Sequence, residues 1–199
     1  MYKIGCTSAE QKQILRLFFC SAFGLHYLCA AMQTEENFLY SPAVLEFVRV
    51  GTEYCRCLEQ CSEMSRDSFC KTMRALLPMV YLKATMMPDV PETEGWNEPH
   101  LTEEDYEYVR CAVARLMEDR DDFLDVFVED FKYSEQPILC TVSENLADVY
   151  QSLRELAAVF SEEHSEAMMA ALYETMEEFK LQWGQKLLGA LRAIHDLPI

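Results

Sequence analysis

Residues 168–197 read MMAALYETMEEFKLQWGQKLLGALRAIHDL. Met168, Leu172, Met176, Phe179, Trp183, Leu187, Ala190, Leu191, Ile194 and Leu197 recur every three or four positions, with polar residues between them. At 3.6 residues per turn they fall on one stripe of a long helix. Such a stripe is buried only against other elements, so this stretch points to a helical bundle.

The preceding segments repeat the pattern. Ser143 reads as the cap of a helix carrying Leu146, Val149, Tyr150, Leu153, Leu156, Ala157 and Phe160. Thr102 with Asp105 forms a capping-box start, followed by Tyr106, Val109, Val113, Leu116 and Met117. A helix opening near Asp67 carries Phe69, Cys70, Met73, Leu76, Leu77, Val80, Tyr81 and Ala84; Pro78 inside it predicts a kink or a break. Ser41-Pro42 combines an N-cap with proline at the first helical position, ahead of Val44, Phe47, Val48, Gly51, Tyr54, Cys55, Leu58 and Cys61. Phe123, Leu124, Phe127, Val128 and Phe131 fit a short sixth helix, with an alternating strand over 125–130 as the weaker alternative. Residues 134–142 read as a connection. Residues 86–101 hold three prolines and a glycine and read as one long loop, of a length typical of lids and binding loops. Its Trp96 is expected to pack on the bundle.

Composition agrees. Glycine (6) and proline (7) are too scarce for a β-sandwich of 199 residues. A chain of this length in one domain buries roughly 70% of its unfolded surface and needs no metal or disulfide to fold. The expected fold is all-α: a single-domain bundle of about six helices over residues 32–199, with residues 1–31 as an N-terminal extension. That extension carries Lys3, Lys12 and Arg16 against Glu10 alone, whereas the rest holds 14 bases and 33 acids. Three readings of it stay open. It is a signal-like segment, an extra helix, or a misplaced start with Met32 as the first residue. Its apolar run is short and interrupted for a membrane span.

The formal net charge of −17 opposes nucleic-acid and anionic-membrane binding and suits solubility or a basic protein partner. Nine cysteines, an odd number without paired spacing, read as reduced core thiols of a cytoplasmic protein. Cys57 and Cys61 stand one helical turn apart, but Cys55 points roughly 160° from Cys57, so the three do not converge on a metal. No phosphate cradle, zinc-protease motif, paired Glu-x-x-His, haem attachment motif, EF-hand loop or nucleophile elbow is present. No cofactor and no metal are expected. The acids Glu118, Asp119, Asp121, Asp122, Asp125, Glu129 and Asp130 read as a solvated face.

Tyr40-Ser41-Pro42-Ala43-Val44-Leu45-Glu46-Phe47, Leu77-Pro78-Met79-Val80-Tyr81-Leu82-Lys83, Tyr133-Ser134 with Pro137, Leu146-Ala147-Asp148-Val149-Tyr150-Gln151, Trp183-Gly184-Gln185-Lys186 and Arg192-Ala193-Ile194-His195 carry a resemblance. They resemble an uncharacterised helical family of gut-type bacteria, number 5063 among the domains of unknown function. The likeness spans about residues 40–197. It implies a cytoplasmic helical fold and assigns no activity or catalytic residue.

Two functions are consistent with this reading. The favoured one is a cytoplasmic interaction or regulatory protein that meets its partner through its acidic surface and the 86–101 loop. The alternative is a small-ligand binder or enzyme with an interhelical pocket whose polar groups are Lys83, Asp148, Tyr150 and Lys186. That alternative requires Lys83 and Lys186 to face one cavity. Oligomeric state is not specified by the sequence.

Overall fold

The computed structural model describes residues 37–93, 95, 97–125 and 136–198. The chain divides into two units, residues 1–40 and 41–199. Of the first only residues 37–40 are described, so the signal-like, extra-helix and misplaced-start readings lie outside the described residues, as does Trp96.

The second unit is an all-α bundle. Its six described α-helices are α1 (Pro42–Glu59), α2 (Arg66–Thr85), α3 (Glu103–Met117), α4 (Val142–Ser161), α5 (Ser165–Glu178) and α6 (Gly184–His195). None of the described helices is long and apolar enough to cross a membrane. Helix α4 is the hub and packs against α1, α3, α5 and α6. Asn145, Leu146, Ala147, Val149 and Tyr150 are all buried, so it is enclosed on most sides. Around it Phe47, Tyr54, Phe69, Leu77, Met117 and Trp183 fill the core. The Tyr54 hydroxyl donates to the Leu146 carbonyl (2.8 Å), tying α1 to α4. The Arg74 guanidinium of α2 donates to the Ile194 and His195 carbonyls (2.9 and 2.8 Å), satisfying orphan acceptors at the end of α6.

Several expectations are corrected. Helix α2 runs through Pro78 without a break. Pro78 is exposed, and Met73, Leu77, Val80 and Ala84 keep one buried face across it. One lost hydrogen bond does not outweigh that packing. Ser41 precedes α1, but its buried hydroxyl makes no cap bond and has no partner among the described residues. The start of the expected short helix is a strand, β1 (Asp122–Asp125), paired antiparallel with β2 (Ile138–Thr141), a segment read as a connection. Phe123 stands opposite Cys140, and Asp122 opposite Thr141. Residues 126–135 lie outside the described set. Thr141, not Ser143, caps α4, accepting from the Glu144 amide (3.2 Å). Ser143 is buried, and its amide and hydroxyl donate to the two carboxylate oxygens of Asp121 (2.8 and 2.6 Å). Asp121 therefore belongs to the core and not to a solvated face.

The last helix is not uniform. A π turn over Phe179–Trp183 separates α5 from α6. It turns the Trp183 indole inward, where its N–H donates to the Thr175 carbonyl (3.0 Å) and its ring meets that of Phe179 (centroids 4.7 Å apart). A Cβ on Gly184 would stand 2.5 Å from the Phe179 carbonyl oxygen, so only glycine fits there.

The strap over α4 and its flanking cavities

Asn97-Glu98-Pro99-His100-Leu101 crosses α4 as a strap. Pro99 and the missing helical pattern leave its amides without partners of their own, and α4 supplies one. Glu155 accepts the His100 amide (2.9 Å) and the Leu101 amide (2.7 Å), one on each carboxylate oxygen. Asn97 Nδ2 donates to the Ala167 carbonyl of α5 (3.1 Å). His100 Nε2 lies 3.0 Å from Glu162, and Nδ1 lies 3.5 Å from Glu155. The hydrogen bond to Glu162, with the charges of both glutamates, raises the imidazole pKa above its ordinary value. Gly95 approaches α5 so closely that a Cβ would sit 2.8 Å from that of Ala170.

On one side of the strap a cleft of about 490 Å³ opens between α3 and α4. Tyr150, Arg154 and Glu59 form its floor, and Tyr108 stands exposed at its edge. Glu59 accepts from the Tyr150 hydroxyl (3.0 Å) and from Arg154 Nε (3.2 Å). Burial, then the neighbouring Glu59 charge, pushes the Tyr150 phenol up. On the other side a cavity of about 260 Å³ lies between α4, α5 and residues 97–99.

Of the four residues picked from the sequence, the structure pairs two, Asp148 and Lys186. Asp148 and Lys186 form an ion pair between α4 and α6, and Tyr106 of α3 donates to the same carboxylate (2.8 Å). Burial and that bond raise the Tyr106 phenol. Tyr150 belongs to the α3–α4 cleft. Lys83 pairs with Glu46 of α1 (2.5 Å). Lys83 and Lys186 thus hold different carboxylates on different helices. The two ion pairs each join two helices.

What single-residue reading missed is charge segregation. Residues 84–109 carry eight acids and 155–179 carry seven, without one lysine or arginine in either. Together they hold nearly half of the chain's 34 acids. The strap's bonds to Glu155, Glu162 and Ala167 bring the two segments into contact. The two base-free runs were the available signal.

Comparison with known proteins gives a family and no activity. The chain is similar to the crystal structure of protein BF1032 from Bacteroides fragilis, a structural-genomics target. The two are 35% identical, with a TM-score of 0.72, over 81% of this chain and 96% of that one. No curated protein matches. Residues 38–199 match the model of the domain of unknown function DUF5063, and the chain belongs to that family.

Proposed function

We propose that this protein works by binding, as a cytoplasmic interaction protein whose acidic strap face receives a basic segment of a partner protein. The observation that carries the reading is the contact between two base-free acidic segments through Asn97, His100 and Glu155. A concentrated negative field steers a cationic partner and fixes its orientation. Glu92, Glu98, Glu103, Glu104 and Glu166 of these segments are exposed, as is Tyr108. The titratable groups also favour binding over chemistry. Burial raises the thiols of Cys55, Cys57, Cys61 and Cys70, so they stay protonated and weakly nucleophilic. The Tyr106 and Tyr150 phenols are raised too and act as hydrogen-bond donors.

Titration calorimetry with poly-L-lysine at low and high salt tests this. Binding is expected at low salt and to weaken steeply with added salt. Converting Glu92, Glu103, Glu104 and Glu166 to glutamine is expected to weaken it about tenfold more than converting the distant acids Glu63, Asp67, Glu118 and Asp119 to amides. Equal weakening by the two sets, or no binding at low salt, rejects the face.

A further inference from the structure

We propose that the exposed face of the α1–α2 pair is an interface with a second copy of this chain. A groove of about 940 Å³ runs between the two helices, and Val50, Cys57, Leu76 and Met79 line it. The apolar surface continues beyond the groove. Leu45, Met79, Leu82 and Met86 are 44–62% exposed, and they are four of the ten large hydrophobic residues exposed among the described residues. Met79, Leu82 and Met86 recur at spacings of three and four along α2 and its cap, so they share one side of the helix. The ion pair between Glu46 of α1 and Lys83 of α2 (2.5 Å) joins the helices at this end, next to Leu45 and Leu82 in sequence. Single exposed hydrophobic residues are ordinary on a surface, but a contiguous strip marks a docking site.

Charge decides the occupant. Two chains of net charge −17 repel wherever their acidic surfaces meet. Residues 86–199 carry 26 acids and eight bases, but residues 42–85, which build α1 and α2, carry five acids and six bases. The pair is thus a near-neutral face on an acidic protein, where two copies meet without like-charge repulsion. The groove itself is balanced, with Arg49 and Arg56 lining it beside Glu53 and Glu63. It suits neither the basic segment proposed for the strap nor a strongly acidic one. Arg56 is paired with Glu53 of its own helix. Arg49 and Glu63 have no ion-pair partner among the described residues. Arg49 lies midway along α1 and Glu63 just past its end, so they stand at opposite ends of the groove. A two-fold axis across the groove brings Arg49 of each copy to Glu63 of the other, the reciprocal pairing of an isologous dimer. Such pairs fix register more than they add affinity, and burial of the apolar strip supplies the attraction.

Sedimentation velocity of the full chain from about 1 to about 100 μM tests this. The species expected at the upper end has twice the 23.1-kDa chain mass. Met79→Glu puts a charge into the interface and should raise the dimer dissociation constant at least about tenfold. Leu124→Glu, at an exposed position of the hairpin, should leave it unchanged. Arg49→Glu alone sets like charges against each other across the two-fold and should weaken the dimer. Adding Glu63→Arg reverses both members and should restore it, a rescue that only a reciprocal contact between copies gives. All four positions are exposed, and if Met79→Glu fails to fold the charge swap decides. A monomer throughout the range, a dimer undiminished by Met79→Glu, or a double variant no tighter than Arg49→Glu overturns the interface. A monomer that still binds poly-L-lysine overturns the dimer and leaves the strap reading standing.

Discussion

Tyr54 of α1 donates its hydroxyl to the carbonyl of Leu146 in α4 at 2.8 Å, across 92 residues of sequence. Both residues are fully buried. Burial lifts the phenol far above its ordinary pKa, so it remains a donor throughout the folded range. Tyr54→Phe removes the bond while keeping the ring. The expected cost is about 1 kcal/mol, measured as a lower urea midpoint with an unchanged slope. A midpoint equal to wild type would show that this bond adds nothing.

Gly184 closes the π turn. A Cβ there meets the Phe179 carbonyl oxygen at 2.5 Å and the Phe179 ring at 2.9 Å. Gly184→Ala should therefore destabilise the bundle by about 1–3 kcal/mol, although alanine is the better helix former. Thermal melting gives the sign directly. A higher Tm would mean that the turn relaxes to an ordinary helix.

Asp148 serves two donors, Lys186 and Tyr106. The lysine side chain is 42% exposed, so Lys186→Met should cost less than about 1 kcal/mol. Asp148→Ala should cost more, about 1–3 kcal/mol, because it leaves the part-buried Tyr106 hydroxyl unpaired as well. Denaturant unfolding of both variants checks the order, and the reverse order would place the stabilising contact elsewhere.

His100 titrates above its ordinary value because of Glu162 and Glu155. A raised folded pKa means that the strap contact is fully stabilising below the unfolded value, roughly pH 6.5. That stabilisation fades as pH rises through the folded value. The Glu155 bonds to the strap amides do not need the imidazolium. Loosening at high pH should thus be partial. An NMR titration of His100 should show the raised pKa, and Glu162→Gln should lower it. A pKa unchanged by that substitution would remove Glu162 as the cause.

The helices were legible wherever local chemistry acts within one element. The Pro42 start, the Thr102–Asp105 box and the three-to-four spacing of Val44, Phe47, Tyr54, Val109 and Leu153 are properties of a turn or a face. The hairpin was not legible as one. Residues 122–125 form a strand because residues 138–141, well away in sequence, pair with them, and no local pattern states that partner. Ser143 has the residue type of a cap, but Asp121 drew it into the core. At the candidate sites, Lys83, Asp148, Tyr150 and Lys186 are polar residues near apolar stripes, and which carboxylate each meets depends on how helices rotate against one another.

The sequence by itself determined an all-α bundle, its acidic charge and the long connection between α2 and α3. Periodicity, caps and composition act over a few residues, and each residue carries them wherever it sits. Only the tertiary structure decided that the connection straps onto Glu155, that two base-free segments meet there, and that Asp121 is drawn into the core by Ser143. Those relations join residues tens of positions apart, and packing around α4 alone brings them within hydrogen-bonding range.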